Sequence, residues 1–545
     1  LTYVCILKAC GNFRMLSKGQ KIHADVVKEG YMESNIVIGT SVVDMYFKCS
    51  AFLQAQEVFD GLQVRNVVTW NVLIHGYIEH GHTIEALHSY ELMQYEGLSP
   101  DEMTFLCVLR ACGNIGEVEK GQGIHAKILS EKTYEKHIPI TTTLVDMYAK
   151  CGVIAKVKEV FDGILLRNIV LWTALISAYA QHSHGEEALI CYVQMQQEGF
   201  FPDSPCFACI MKACASIKAL GKGKIIHIEI IEEGWLEKDA FIGNSLVYMY
   251  ASCGSLGKAR EVFNDLPLPN VVSWTSLMTG YADFGQGKES LKCFQQMQQE
   301  GICPDVITFV CILKACCSIQ AFEKGKEIHA EILKEGLLEK HVLVGNALVN
   351  MYTKCGELAK AQEVFDGLPN LNIVSWNALI AGYAQMSQAN RVFYLFHKMR
   401  KDGIVPDVVT FLIRLSVCSH AGLVDEGQYV FALMREDYGI NPSVEHYHCM
   451  IDLYGRVGRL EEAKNMIHDM PHEPTPVAWL TLLGACKALM DVEHAEYAAN
   501  CVFKLEPQNP KPYIVLSNIY AAIGRELDAE VITSRMKEKC SALLY

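Results

Sequence analysis

The sequence lacks an excess of basic residues. Its 545 residues include 48 Lys and Arg against 62 Asp and Glu, which gives a formal net charge of −14 at pH 7. A protein that holds nucleic acid mainly by neutralising phosphates usually carries a basic excess. If RNA is the ligand, side chains on one face must therefore recognise it while the other faces carry the acidic charge.

Other absences narrow the class of protein further. No apolar run approaches the roughly 18 residues that a membrane helix needs, so no membrane contact is expected. No phosphate-binding glycine loop, nucleophile elbow, strand pattern or low-complexity segment is present. The sequence begins at Leu1 without methionine and already inside a repeat, so we expect any targeting peptide to lie outside it.

What the sequence has instead is an internal repeat of 102 residues. A tryptophan recurs at that interval as Trp70, Trp172, Trp274 and Trp376. A Pro-Asp pair recurs as Pro100-Asp101, Pro202-Asp203, Pro304-Asp305 and Pro406-Asp407. Four copies without a single insertion indicate that the copies stack on one another. An insertion or deletion in one copy would break the contacts of every later copy.

Thirteen of the 22 cysteines follow the same interval. They form three columns: Cys5, Cys107, Cys209, Cys311; Cys10, Cys112, Cys214, Cys316, Cys418; and Cys49, Cys151, Cys253, Cys355. Members of one column lie three repeat units apart and cannot bond one another in a stack. We interpret them as small, buried, apolar residues in a reducing compartment.

Each copy divides into three units of about 35 residues, and each unit has the pattern of two helices. In one copy the apolar stripes are Trp172, Leu175, Ile176, Tyr179 on the first helix and Ala188, Tyr192, Met195 on the second. Neither helix could bury its stripe alone, whereas stacked pairs can. The sequence therefore predicts an all-α fold of stacked helical hairpins, with the column Met93, Met195, Met297 and Met399 as core.

The segments IVSWNALIAGY, GNALVNMYTKCG and GKEIHAEILKEG resemble the pentatricopeptide repeat family of land plants, in its PLS subclass. The resemblance covers essentially the whole chain and implies a right-handed superhelical α-solenoid, similar to tetratricopeptide arrays. The tail resembles an E-type extension that stops short of its usual end, and no cytidine-deaminase-like domain follows it.

The resemblance divides the chain into an array, 1–475, and a truncated E-type extension, 476–545. The L-type units would be 1–35, 102–137, 204–239, 306–341 and 408–443. The S-type units would be 36–66, 138–168, 240–270, 342–372 and 444–475. The P-type units would be 67–101, 169–203, 271–305 and 373–407.

Two columns of polar residues are candidates for ligand contact. The helix column lies near the start of each first helix: Thr40, Asn71, Thr142, Thr173, Asn244, Thr275, Asn346 and Asn377. The end column contains the last residues of the same units: Asn66, Asp101, Asn168, Asp203, Asn270, Asp305, Asn372 and Asp407. Helix capping is the plainer interpretation of both columns, but their variation from unit to unit favours recognition.

The resemblance implies how these columns would work. One repeat of this class is known to read one RNA base with two or three side chains. In the family, Thr with Asn implies A, Thr with Asp implies G, Asn with Asp implies U, and Asn with Asn implies C or U. Carried over unit by unit, the predicted single-stranded RNA site is 5′-?AU?AG?YG?YU, where question marks stand for L-type units.

The family code does not assign a base at some positions. The L-type units place apolar residues at the helix column: Val4, Leu106, Ala208, Val310 and Leu412. The last S-type unit offers His448 with Thr475, a pair that the family code does not decode. Three residues before the helix column, the family places a residue that wedges between bases, here Val68, Val170, Val272 and Val374. Packing on neighbouring repeats is an equally good account of those valines.

Two short segments resemble parts of the zinc-deaminase motif, in which H-x-E is followed by P-C-x-x-C. His227-Ile-Glu229 and Pro205-Cys206-Phe-Ala-Cys209 both occur, but in reversed order. His227 also belongs to the column His23, His125 and His329, in which the glutamate two residues later is not maintained, because the residues there are Asp25, Lys127 and Glu331. We therefore expect no metal, no cofactor and no catalytic residue.

By family resemblance, we expect an organellar specificity factor for C-to-U RNA editing, in a mitochondrion or plastid. It would act with a deaminase in trans or another editing-complex protein, contacted through the E-type extension, and would take no small-molecule substrate. The alternative from another class is a tetratricopeptide-like scaffold for protein partners, to which the acidic charge lends some support.

Overall fold

The computed structural model describes residues 2–130, 137–164 and 167–540. These residues form 35 helices and no strand. They fall into two compact bodies, an N-terminal body (Leu1–Gly280) and a C-terminal body (Tyr281–Tyr545). The boundary lies inside one helix, Val271–Asp283.

The N-terminal body contains eighteen helices and most of a nineteenth. They are α1 (Thr2–Asn12), α2 (Leu16–Lys28), α3 (Tyr31–Ser34), α4 (Ile36–Lys48), α5 (Phe52–Asp60), α6 (Val67–Glu79), α7 (Thr83–Tyr95), α8 (Glu102–Ile115), α9 (Val118–Ser130), α10 (Ile138–Lys150), α11 (Ile154–Asp162), α12 (Ile169–Gln181), α13 (Gly185–Gln197), α14 (Ser204–Ser216), α15 (Leu220–Glu232), α16 (Trp235–Lys238), α17 (Ala240–Ser252), α18 (Leu256–Asn264) and α19 (Val271–Asp283).

The C-terminal body contains the rest. They are α20 (Gly287–Gln299), α21 (Val306–Ile319), α22 (Phe322–Lys334), α23 (Leu337–Lys340), α24 (Val342–Lys354), α25 (Leu358–Asp366), α26 (Ile373–Gln385), α27 (Ala389–Lys401), α28 (Val408–Ala421), α29 (Val424–Glu436), α30 (Val444–Arg456), α31 (Leu460–His468), α32 (Pro476–Leu489), α33 (Val492–Leu505), α34 (Pro510–Ala522) and α35 (Glu526–Cys540).

Within each body, the first helix of one hairpin lies against the first helix of the next. This row runs α1, α4, α6, α8, α10, α12, α14, α17 in the N-terminal body and α21, α24, α26, α28, α30, α32, α34 in the C-terminal body. Each first helix also contacts its own second helix, as α6 contacts α7. The fold is therefore the predicted array of helical hairpins, in which each hairpin buries its apolar stripe against its neighbours.

Every S-to-P junction contains the same aromatic contact. The repeated tryptophan is buried and meets a phenylalanine of the preceding S-type second helix edge to face, with ring centroids 4.4–4.8 Å apart. The pairs are Phe59–Trp70, Phe161–Trp172, Phe263–Trp274 and Phe365–Trp376. Such a pair contributes about 0.5–1.5 kcal/mol beyond the stabilisation expected from the apolar area it buries. The tryptophan therefore recurs because it makes the same contact between neighbouring hairpins in each copy.

The first four L-to-S junctions contain the same hydrogen-bonded pair, whereas the fifth has Phe431 at the histidine position. A histidine of the L-type second helix meets a tyrosine hydroxyl of the S-type first helix through Nδ1, at 2.8–3.0 Å. The pairs are His23–Tyr46, His125–Tyr148, His227–Tyr250 and His329–Tyr352. Burial lowers the pKa of all four imidazoles from 6.5, because it disfavours the charged form.

The same junction requires a glycine in the L-type second helix. A Cβ atom at any of these four glycines would overlap with the thioether of a buried methionine in the S-type first helix. The pairs are Gly19–Met45, Gly121–Met147, Gly223–Met249 and Gly325–Met351. Glycine is unfavourable inside a helix, so its recurrence here reflects the close approach of two helices.

The predicted apolar stripes and the methionine column are buried. The cysteine prediction holds only in part. All 22 cysteines are free, and the column from Cys10 to Cys418 is buried, but the Cys49 column is only partly buried and Cys5 is exposed. Cys209, in the same column as Cys5, is also only partly buried. Among the described residues, no helix is long and apolar enough to cross a membrane.

The four histidine–tyrosine pairs predict acid sensitivity. As pH falls below 6.5, the unfolded chain takes up protons at these histidines while the folded chain resists, so stability is lost as pH falls through the lowered folded pKa values. Replacing His23, His125, His227 and His329 by asparagine should flatten the decline of the urea midpoint between pH 7.5 and pH 5. The same replacement of four exposed histidines, His75, His88, His184 and His397, should flatten the decline less; an equal effect of the two sets would contradict the assignment.

Candidate functional site

The helix column occupies one fixed place in the fold. Each of its eight members is the fifth residue of its first helix, as Asn71 is in α6 and Thr173 is in α12. An N-cap precedes the first helical residue, so the capping interpretation of the helix column is wrong. The three threonines Thr40, Thr142 and Thr275 instead donate a hydrogen bond to the carbonyl four residues earlier.

The end column does cap helices. In all eight cases, the side-chain Oδ1 accepts a hydrogen bond from the backbone N–H three residues later, at 2.7–3.1 Å. The capped helix is the first helix of the next unit, as Asp101 caps α8. The capping interpretation of these residues is therefore correct.

The two columns meet in five pairs. Asn71 donates to Asp101 at 2.8 Å and Asn377 donates to Asp407 at 3.0 Å. The weaker contacts are Asn244–Asn270 and Asn346–Asn372 at 3.4 Å and Thr173–Asp203 at 3.5 Å. The undecoded pair behaves in the same way, since His448 Nε2 and Thr475 Oγ1 are 3.1 Å apart.

The remaining three pairs differ. Thr40 reaches Asn66 only through the hydroxyl of Thr69, at 3.1 Å and 2.9 Å. Within the described ranges, no hydrogen bond joins Thr142 to Asn168. Thr275 lies in the N-terminal body and Asp305 in the C-terminal body, where Asp305 caps α21. Sequence spacing alone could not separate these cases, because the period is the same in every copy.

In every end-column residue, one polar side-chain atom forms no hydrogen bond with the described residues. Oδ1 takes every hydrogen bond that these eight side chains form with described residues. In the aspartates the remaining atom is Oδ2, an acceptor, and in the asparagines it is Nδ2, a donor. The amide orientation is fixed physically, because a backbone N–H can be capped only by the oxygen.

The two Asn–Asp pairs also set the charge of the site. Burial raises the pKa of the Asp101 carboxyl, but hydrogen bonds from the Thr104 backbone, the Asn71 amide and the Thr104 hydroxyl lower it below 3.8. The pKa of Asp407 is lowered in the same way by Thr410 and Asn377. Both aspartates are therefore ionised at neutral pH, and each offers only acceptor atoms.

The valine column is exposed. Val68, Val170, Val272 and Val374 keep 51–58% of their surface accessible, so packing on neighbouring repeats does not explain them. Other first helices present an exposed apolar residue at the same second helical position, which the sequence analysis missed: Val37, Phe241, Leu343, Met103, Ile307 and Val409. These residues could have been found by taking the second residue of each predicted first helix, because the residue type there varies while its position in the helix does not.

The deaminase-like strings are structural. His227 is engaged by the Tyr250 hydroxyl, and Glu229 accepts hydrogen bonds from Tyr192 and Gln196. Burial raises the pKa of the Cys206 thiol to about 12. Across residues 2–130, 137–164 and 167–540, no group of three His, Cys, Asp or Glu side chains could hold a metal ion.

Comparison with known families agrees with this architecture. The profile described as PPR repeat family matches 65–114, 167–216, 269–318 and 371–420. The profile described as PPR repeat matches 346–373 and 445–473. The profile described as E motif matches 489–541, inside the segment predicted to be an E-type extension. The unit boundaries given above stay predictions.

Similar proteins occur in Arabidopsis thaliana. One pentatricopeptide repeat-containing protein is 34% identical over 530 residues, covering 97% of this chain and 86% of that protein. Two relatives named as chloroplastic are 35% and 33% identical over 95% and 99% of this chain. The chain spans only 64% and 62% of the length of those two proteins.

A solved structure shares the fold. The crystal structure of the pentatricopeptide repeat protein PPR10 in complex with an 18-nt psaJ RNA element matches with a TM-score of 0.58 and 17% sequence identity. The match covers 99% of this chain and 84% of that chain.

The capping geometry predicts how end-column variants behave. Replacing Asp203 by alanine removes the cap of α14 and should lower the free energy of unfolding by about 1 kcal/mol. Replacing it by asparagine keeps the capping oxygen and should change stability by only a few tenths of that. Urea unfolding of both variants checks this; an equal loss in both would contradict the capping role of Oδ1.

Proposed function

The chain belongs to the pentatricopeptide repeat family, with PPR repeats and an E motif, and on this premise we propose that it binds single-stranded RNA by sequence. Each S-type and P-type unit reads one base with its helix-column and end-column residues. The predicted site is 5′-?AU?AG?YG?YU. The free atom of the end column, Oδ2 in aspartate and Nδ2 in asparagine, is the observation that carries this proposal.

The free atom supplies the discrimination between bases. The Watson–Crick edges of uracil and guanine present a ring N–H, which an aspartate oxygen accepts. The edges of adenine and cytosine present a bare ring nitrogen, to which an asparagine N–H donates. Because capping holds Oδ1 in place, the second atom points away from the helix N-terminus without further ordering, which lowers the entropic cost of binding.

The valine column supports the same proposal. An unpaired base offers two apolar faces, and an exposed aliphatic side chain beside each base-reading pair can cover one of them. In P-type units, Val68 lies three residues before Asn71 on the same helix, and the other copies repeat this spacing. Val68 and the exposed apolar residue at the same position of an adjacent first helix, Val37 or Met103, would therefore hold a base between them while its edge meets the polar pair.

The biological role follows from the family. We propose that the chain is a specificity factor for C-to-U editing of organellar RNA, acting with a deaminase in trans through the segment that matches the E motif. The chloroplastic names of two relatives support a plastid, and a mitochondrion is the other organelle that the family serves. A tetratricopeptide-like scaffold remains the alternative function.

The test is a change of base preference. Wild-type chain should bind a 12-nucleotide RNA of the predicted site more tightly than an RNA in which both G positions are changed to A. The double variant Asp203→Asn, Asp305→Asn should reverse this preference, with a change on the order of ten-fold at each position. Fluorescence anisotropy with both RNAs measures it.

Asp265→Asn is the matched control, because Asp265 is exposed and belongs to neither column. It should leave the preference for G unchanged. Selectivity that is the same in the wild type and in the double variant would refute the assignment of the end column. Absence of selective RNA binding by the wild type would favour the protein scaffold.

A further inference from the structure

The L-type units have no assigned role in base reading. Their helix-column position is apolar, as with Leu106 and Ala208, and those side chains are half-buried. A base held there would find no hydrogen-bonding partner. The RNA must nevertheless pass these units, because L-type first helices lie between a P-type and an S-type first helix, as α8 lies between α6 and α10 and α28 between α26 and α30.

A cation follows each of these apolar residues by four positions. In four L-type units it is Lys8, Arg110, Lys212 and Lys314, and all four side chains are exposed. Residues four apart lie on the same face of a helix, so the cation is beside the half-buried apolar residue. The S-type units have Asp44, Asp146, Tyr248 and Asn350 there, and the P-type units have His75, Ser177, Thr279 and Ala381. A basic residue at this place is specific to L-type units.

These cations are available to a ligand. Among the described residues, Lys8, Arg110 and Lys212 form no ion pair, and Lys314 pairs only with Asp283, on the surface. Some lysines on the L-type second helices are paired, as Lys120 is with Glu91 and Lys222 is with Glu186.

In the C-terminal body, a recess adjoins one of these cations. A cavity of about 580 Å³ is lined by Lys314 of α21, Asn350 and Lys354 of α24, and Asp283, together with Ala282, Cys317 and Ser318. The ammonium groups of Lys314 and Lys354, which lie on neighbouring first helices, therefore line the same cavity. Ammonium groups are point charges suited to phosphate oxygens.

We propose that the L-type units hold the phosphate backbone of the RNA rather than a base, through Lys8, Arg110, Lys212 and Lys314. This inference rests on the proposed function, since it concerns the same strand. Base-reading units on either side of an L-type unit are two helix spacings apart, about 16–20 Å, so the strand between them needs a contact that is independent of base identity. The fifth L-type unit has Ser416 at this place and lacks the contact.

The experiment measures the salt dependence of RNA binding. Each phosphate contact on a single strand contributes about 0.7 to the slope of log K against log salt. The variant Lys8→Ser, Arg110→Ser, Lys212→Ser, Lys314→Ser should therefore reduce the slope by about 3 for the predicted 12-nucleotide site. Its preference for G over A at the two G positions should equal that of the wild type.

The matched control changes the same number of charges in the same units. Lys18, Lys120, Lys222 and Lys324 form a column on the L-type second helices, and changing all four to serine should leave the slope nearly unchanged. Abasic nucleotides at the question-mark positions should not weaken binding by the wild type. Neutral methylphosphonate linkages at those positions should weaken the wild type but not the first variant.

The outcomes separate the two proposals. Equal slopes for the two quadruple variants, or a loss of affinity with the abasic RNA, would overturn the phosphate assignment while base selectivity stands. A wild type that binds without selectivity would overturn base reading, whatever the slopes.

Discussion

The N-cap at the end of each base-reading unit is the constraint on which the rest depends. One oxygen of Asp101, or of its equivalents, begins the next first helix and so fixes where the following hairpin starts. The same bond orients the remaining side-chain atom. Capping uses one atom of the residue, and the proposed recognition would use the other. A residue that must cap is limited to a few polar types, and among them Asp and Asn cap about equally well while differing in hydrogen-bonding character. On this proposal, exchange of Asp for Asn would change the base preference with little effect on stability.

The acidic net charge becomes understandable once the faces are separated. The second helices carry some paired charges, such as Lys222 with Glu186, which contribute little to stability at the surface. The L-type first helices carry exposed cations of which three have no ion-pair partner among the described residues. Net charge is a property of the whole chain, whereas binding depends on the face that meets the ligand. On the proposal made above, the cations of the L-type first helices would supply the contacts to phosphate despite the acidic net charge.

Much of the fold could be predicted because the repeat made four independent copies of each pattern available. The helix pairs, the buried tryptophans and the methionine column follow from periodicity alone, since a helix that is apolar on one stripe must bury it. The partners across each junction could not be predicted. Nothing in the sequence pairs Phe59 with Trp70 or His23 with Tyr46, because these contacts depend on how far one helix is rotated against the next. The exposure of Cys5 was missed for a related reason, since it depends on a neighbour rather than on the column.

The sequence by itself determined the hairpin array, the two polar columns and the family, because a fixed 102-residue period and the residue types at fixed places survive without coordinates. Only the tertiary structure decided which atom of each polar side chain is already used and which is left. It separated the helix column from the capping residues, and it joined Asn71 to Asp101 while leaving Thr142 unbonded to Asn168 in the described chain. It also exposed the valines. The physical reason is that a hydrogen bond depends on distances of a few tenths of an ångström and on direction, and neither is encoded by spacing along the chain.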